Sequence, residues 1–400
     1  MNRTAGNKVA SRTGLLHGTD DRPFHAPRRQ AGYAALVLVV IIGLTLAALF
    51  VTSLNAAALH NEQNRKTLNA LALAKQALIA RAATDQSLPG SLPCPDTDNN
   101  GSADLFAGNN CPSYIGRLPW RTLGLPDLRD ASGERLWYAL SPNFRDYVGI
   151  VAINDSTAGT LSVTGVAPVA NVAAIVFSPG SALPGQARDS AANQLDPDNY
   201  LESTNATGGP AFTSQAASDS FNDQLITIAV ADLMPMVEQR VAREMMTILQ
   251  NYKTATGGLY YPWAADNTGN SINPSGHQGH DRGLFPCGNA LPVSWGSAGI
   301  TLPGWLTADC GSGGWASLTY YAASYSYLSG GAGACDTADG YCNTPCGWPF
   351  KLSLDGNCSP ILVLLTPGTN GVFENSNGSS DSFTTPTSTA NDRDRIYTYP

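Results

Sequence analysis

The sequence predicts an α+β protein. A long N-terminal transmembrane helix continues into a stem and is followed by two related, disulfide-bonded modules, each a helix plus a small antiparallel sheet. Three observations predict this. Tyr33–Leu54 runs for 22 residues without a charge. Helix-forming sequence free of Pro and Gly follows it to Gln86. Beyond that, a set of short motifs occurs twice in one order. The expected divisions are a basic leader (1–32), a membrane span (33–54), an amphipathic stem (55–86), a first module (87–230) and a Cys-rich second module (231–400).

The apolar stretch would span roughly 33 Å as a helix, enough for a bilayer core. Residues 1–32 carry Arg3, Lys8, Arg12, Arg22, Arg28 and Arg29 against Asp20 and Asp21, a net charge of +4. The positive-inside rule therefore expects them in the cytoplasm and the rest exported. The whole chain is −8, so the remainder is −12. That acidity excludes nucleic acid as a partner, because phosphate binding needs a basic footprint. Only 14% of residues are charged and 43% are apolar, which excludes a disordered polyampholyte. In the stem, Ala, Leu, Lys, Gln and Arg favour helix, and Leu68, Leu71, Leu78 and Ala82 mark one stripe. Leu88-Pro89-Gly90 closes it.

The N-terminal arrangement resembles type IV pilins and the pseudopilins of type II secretion. Arg28-Arg29-Gln30-Ala31-Gly32, then Tyr33 and the apolar run, carry the resemblance. In that family a prepilin peptidase cuts after a glycine that follows a basic leader. The new N-terminal residue is aromatic and becomes methylated; here Gly32 and Tyr33 hold those positions. The resemblance implies pilin-like modules and a bacterial inner-membrane protein. Its partners would be the membrane, prepilin peptidase and other pilin-like subunits. Val37 stands where most members have glutamate as the fifth mature residue. That glutamate neutralises the amine of the preceding subunit, so its loss implies a tip or initiating position. The alternative is a membrane-anchored adhesin or binding protein outside any fibre.

In the first module, Arg135–Ser141, Asn171–Phe177 and Leu225–Val230 read as strands, the second as a fully buried one. A second helix is expected with Asp232 as N-cap and Pro235 in its first turn. Its apolar stripe is Val237, Val241, Met245, Ile248 and Tyr252, with Glu238, Arg240, Arg243 and Glu244 off it. The repeat is read from six echoes. Ala77–Thr84 matches Thr247–Thr256, and Gly90–Pro93 matches Gly258–Pro262. Asp98–Gly101 matches Asp266–Gly269, and Trp137–Ser141 matches Tyr320–Ser324. The strand ending in Ser178-Pro179-Gly180 matches Ile361–Leu365 with Thr366-Pro367-Gly368. Asn222–Leu225 matches Asn391–Asp394.

All eight cysteines follow the apolar stretch: Cys94, Cys111, Cys287, Cys310, Cys335, Cys342, Cys346 and Cys358. An even count on an exported side favours disulfides over zinc. Cys94–Cys111 and three later bridges are the simplest partition. No nucleophile elbow, zinc-protease motif or phosphate-binding glycine loop is present, and His277 and His280 lie in a Gly-rich segment, so no enzyme is expected. The one sharp motif is Asp96-Thr97-Asp98-Asn99-Asn100-Gly101-Ser102-Ala103-Asp104. Its oxygen-bearing side chains and its glycine match the first part of a calcium loop. Asp96, Asp98, Asn100, Ser102 and Asp104 are the candidate calcium ligands. Ala107 replaces the closing glutamate of an EF-hand.

Overall fold

The computed structural model describes residues 31–147, 152–265, 282–287, 293–307, 314–324, 328, 353–354, 362–366, 382–383 and 395–399. The chain divides into two compact units, residues 1–61 and 62–400. Helix α1 is Ala31–Thr84. In the first unit, Tyr33, Leu36, Val37 and the apolar residues up to Leu46 are exposed.

Among the described residues, no helix is long and apolar enough to cross a membrane. The described apolar side chains run from Leu36 to Ala47, roughly 18 Å of helix against a hydrocarbon core of ~30 Å. This corrects the transmembrane helix expected over 33–54. It equally corrects the single-pass inner-membrane placement with a cytoplasmic N-terminus and periplasmic modules. Residues 1–30 of the leader lie outside the described residues.

In the second unit, α1 buries Thr67, Ala70, Leu71, Ala74, Leu78 and Ala82. Leu68 is exposed, contrary to the expected stripe. It lies about 60° round the helix from Leu71, and the small Ala74 takes the buried place. After Thr84, the Asp85 carboxylate accepts from the Ser87 and Leu88 amides and turns the chain.

The first sheet contains β1 (Ile115–Arg117), β2 (Trp137–Leu140), β3 (Leu161–Gly165), β4 (Val169–Ser178), β5 (Ala211–Ser214) and β6 (Gln224–Ala229). The order is β1-β2-β4-β3-β5, with β6 also paired to β4. The β3–β5 pair is parallel, so this sheet is mixed rather than antiparallel throughout. Side chains alternate across it. Tyr138, Leu140, Ala174, Val176 and Ile228 enter the core shared with the helices. Trp137, Ala139, Ile175 and Phe177 enter a second cluster with Tyr200, Leu201 and Phe212. Burial on both faces explains why β4 reads as an unbroken apolar run.

Helix α2 (Val230–Ala255) follows β6 directly. Asp232 is its third residue, not its cap; its carboxylate accepts from the Ala229 amide at 3.1 Å and pairs with Lys75 of α1 at 2.8 Å. Pro235 therefore falls in the second turn. The whole expected stripe is buried, and Glu238 is buried with it. The second sheet is formed by β7 (Arg282–Leu284), β8 (Tyr320–Ala323), β10 (Leu362–Thr366) and β12 (Arg395–Tyr399), in the order β12-β10-β8-β7. Strands β9 (Ser353–Leu354) and β11 (Ser382–Phe383) form a separate pair.

The antiparallel order β1-β2-β4-β6 recurs as β7-β8-β10-β12. Trp137 faces Phe177 as Tyr320 faces Leu365. The Tyr138 hydroxyl donates to the Pro93 carbonyl at 3.2 Å, and that of Tyr321 to Pro262 at 2.8 Å. Gly116 lies opposite Tyr138, and Gly283 opposite Tyr321. One echo needs correction. Gln224 corresponds by register to Arg395, two residues beyond the expected match. Asp266–Gly269 lies outside the described residues.

A buried acidic network ties the segment between β4 and β5 to the turn before β6. Asp223 accepts from the Glu202 amide and Asn205, while Glu202 accepts from the Asn222 and Asp223 amides and from Gln186. Burial, with the Glu202 carboxylate beside it, pushes Asp223 from 3.8 up to about 8. Between those values the folded chain holds a proton that the unfolded chain has lost. Stability from this group is therefore full below about pH 4 and declines as pH rises toward 8. Asp223→Asn should flatten that decline in urea titrations across pH 4–8.

The repeated glycines give a second test. A Cβ on Gly116 would stand 2.7 Å from the Asp96 carbonyl, and one on Gly283 2.2 Å from that of Ala265. Gly116→Ala and Gly283→Ala should each cost about 1–3 kcal/mol by urea unfolding.

Candidate metal centre

The acidic loop begins where the chain leaves a two-way backbone bridge between Asp96 and Arg117, at 3.0 and 2.7 Å. The Cys94–Cys111 disulfide, with Cα atoms 5.5 Å apart, closes its base. Cys287 is also disulfide-bonded. Cys310, Cys335, Cys342, Cys346 and Cys358 lie outside the described residues, as do His277 and His280.

Within the loop, the almost fully buried Asp96 accepts from the Asn100 amide at 3.2 Å and the Gly101 amide at 2.6 Å. Asp98 accepts from the amide and side chain of Asn100. The Asn100 side-chain oxygen receives the Ser102 amide at 2.6 Å. Asp104 accepts from the Thr97 hydroxyl and, at 3.3 Å, from its amide. Asn99 and Gly101 both have positive φ, at 62° and 89°. Gly101 is required twice over, because a Cβ there would also strike the Trp120 ring at 2.5 Å.

The structure thus gathers three of the five candidate ligands as carboxylates. One oxygen each from Asp96, Asp98 and Asp104 lies within 4.8 Å of the others. Oxygens bound to one calcium at ~2.3–2.6 Å lie no more than about 5 Å apart, so the spacing fits a hard cation. Asn100 is turned toward Asp98, and Ser102 contributes its amide to the turn. Burial, with Asp98 adding to it, pushes Asp96 up to about 6 against the two amide hydrogen bonds. The three carboxylates take their hydrogen bonds from amides, an Asn side chain and a Thr hydroxyl, none of them cationic.

Sequence reasoning missed three supports. Thr97 anchors Asp104, Thr122 accepts the Ala103 amide at 2.8 Å, and Trp120 lies under Gly101. The Trp120-Arg121-Thr122 segment is distant in sequence, and no spacing rule links it to the loop.

No family model, characterised protein or solved structure matched this chain.

A cation held only by the native loop at 100 times its dissociation constant adds ~2.7 kcal/mol. Melting in calcium should then exceed melting in chelator. Asp98→Ala, an exposed position, should abolish the difference while leaving the chelator curve nearly unchanged. Superimposed wild-type curves at millimolar calcium would remove calcium from consideration.

Proposed function

We propose that the protein is a non-enzymatic, pilin-like or pseudopilin-like subunit of a bacterial type IV pilus or type II secretion apparatus. The observation that carries this is the contrast within α1. Its early residues expose a run of large apolar side chains, including Leu36, Leu38, Val39, Leu44 and Leu46. Its later residues bury Leu71, Leu78 and Ala82 against a sheet. A contiguous apolar surface of this kind calls for a partner, and the matching surface is the same helix of neighbouring subunits. The leader ending in Gly32 before Tyr33 supports processing by a prepilin peptidase and methylation of the new amine.

A tip or initiating position is part of the same reading. Val37 offers no carboxylate to the amine of a neighbouring subunit. Two sheets in the head add bulk that an end position accommodates and a packed shaft does not. A calcium ion in the Asp96 loop would stabilise the head without taking part in any reaction.

N-terminal sequencing of the protein from cells with an active prepilin peptidase should read from Tyr33. Gly32→Val should retain residues 1–32. Retention of the leader by the unaltered chain would reject the pilin-like reading and favour an adhesin outside a fibre.

A further inference from the structure

A second cleft, which Asn99 joins to the acidic loop, is lined by Arg117, Arg129, Arg135 and Arg188, with Glu134 and Tyr200. Its volume is about 280 Å³. Arg117 is 3% exposed and lies 4.2 Å from the Trp137 ring and 3.9 Å from that of Tyr200. Arg188 approaches Tyr200 as well, at 4.2 Å. Glu134 pairs with Arg188 at 3.1 Å. Arg129 and Arg135 share Asp127, each with a contact at 2.8 Å. Two carboxylates thus serve four guanidinium groups, leaving two positive charges in excess in a chain whose net charge is −8.

Two further observations point to a ligand. Arg117 spends Nη1 and Nη2 on the carbonyls of Arg135 and Gln194, both at 3.0 Å, and its buried Nε has no partner. An unpaired buried donor carries a desolvation cost that an acceptor would relieve. The fold itself does not ask for an arginine there. By strand register Arg117 facing Trp137 corresponds to Leu284 facing Tyr320, so the second sheet is built with leucine. Arg188 and Tyr200 lie between β4 and β5, in the segment by which the first sheet departs from the second.

We propose that this cleft binds a small free oxyanion, a phosphate or a carboxylate. Both are anions whose oxygens accept from guanidinium N–H groups, and the surplus positive charge favours them over neutral ligands. Arginines already occupy the approach to Tyr200, so recognition is by charge and hydrogen bonds rather than by stacking on that ring.

Calorimetric titration of the full chain tests this. It uses inorganic phosphate in one arm and acetate in the other, in chelator and at constant ionic strength set with chloride. Saturable binding is expected with Kd tighter than about 1 mM in at least one arm, and the arm identifies the anion class. Arg129→Gln, at the more exposed rim, should weaken binding about tenfold. Glu134→Gln removes a competing carboxylate and should tighten it by a similar factor, a gain that misfolding cannot imitate. Absence of saturation in both arms, or affinity unmoved by both substitutions, overturns the proposal. Because calcium is removed and the N-terminus is untouched, its failure is separable from failure of the pilin-like reading.

Discussion

Strand β4 has to be buried on both faces, and the rest of the head follows from that requirement. Val172, Ala173, Ala174, Ile175, Val176 and Phe177 are all fully buried. A ten-residue strand with this content cannot end at a solvent-exposed face. One face takes Leu71, Leu78, Val237 and Val241 from the two helices. The other needs a cover that the helices cannot reach. The chain supplies it with β3, β5 and the loops between β4 and β6, which bring Tyr200, Leu201 and Phe212 onto Trp137 and Phe177. The polar cleft around Arg117 lies at the edge of that cover, so its location is a by-product of burying β4.

The second sheet repeats the four-stranded pattern without strands paired like β3 and β5 among the described residues. Both sheets keep a tyrosine donating to a proline carbonyl, and a glycine facing that tyrosine across the strand pair. The shared reason is a close approach. The segment carrying Asp96 in one sheet and Ala265 in the other makes a two-way backbone bridge to the edge strand, leaving no room for a Cβ. What differs is chemistry laid on the frame. At the bridge, Asp96 opens an acidic loop, whereas Ala265 is apolar and buried. Conserving the backbone device while changing the side chains is how one pattern carries a polar site in one sheet and an aromatic core in the other.

Legibility in the sequence followed the range of the interaction. Periodicity placed Val237, Val241, Met245, Ile248 and Tyr252 on one buried face, because a helix converts spacing directly into direction. It misplaced Leu68, because a large apolar side chain outweighed the buried Ala70 and Ala74 in the count. The echo of Trp137–Ser141 in Tyr320–Ser324 had the register of the paired strands, since strand alternation fixes it. The echo of Asn222–Leu225 was two residues out, where β12 begins later than the motif. The span over 33–54 was read from composition alone, which counts apolar residues without their surroundings. At the acidic loop, alternating carboxylates and a glycine were visible locally. The arginine cleft was not, because Arg117, Arg135 and Arg188 meet only through sheet pairing and an insertion. Its single trace was a concentration of arginines in a chain poor in charge.

The acidic loop and the basic cleft are mechanically one structure. Asn99, held at positive φ inside the loop, receives Arg135 Nη1 on both its carbonyl and its side-chain oxygen, each at 2.9 Å. The same arginine holds Asp127 through its other two nitrogens and lines the cleft. Asp96 and Arg117, the buried members of the two groups, are joined by their own backbone bridge. Opposite charge excesses therefore sit on adjacent turns of chain, linked by hydrogen bonds rather than by screened surface charge. Whatever orders the loop also fixes the guanidinium of Arg135, and whatever draws on Arg135 acts on Asn99. These hydrogen bonds hold the arrangement by themselves, and a cation at one end or an anion at the other would reinforce it. Such coupling is reciprocal in free energy, and it falls on a segment already closed by Cys94–Cys111, where little backbone entropy remains to be lost.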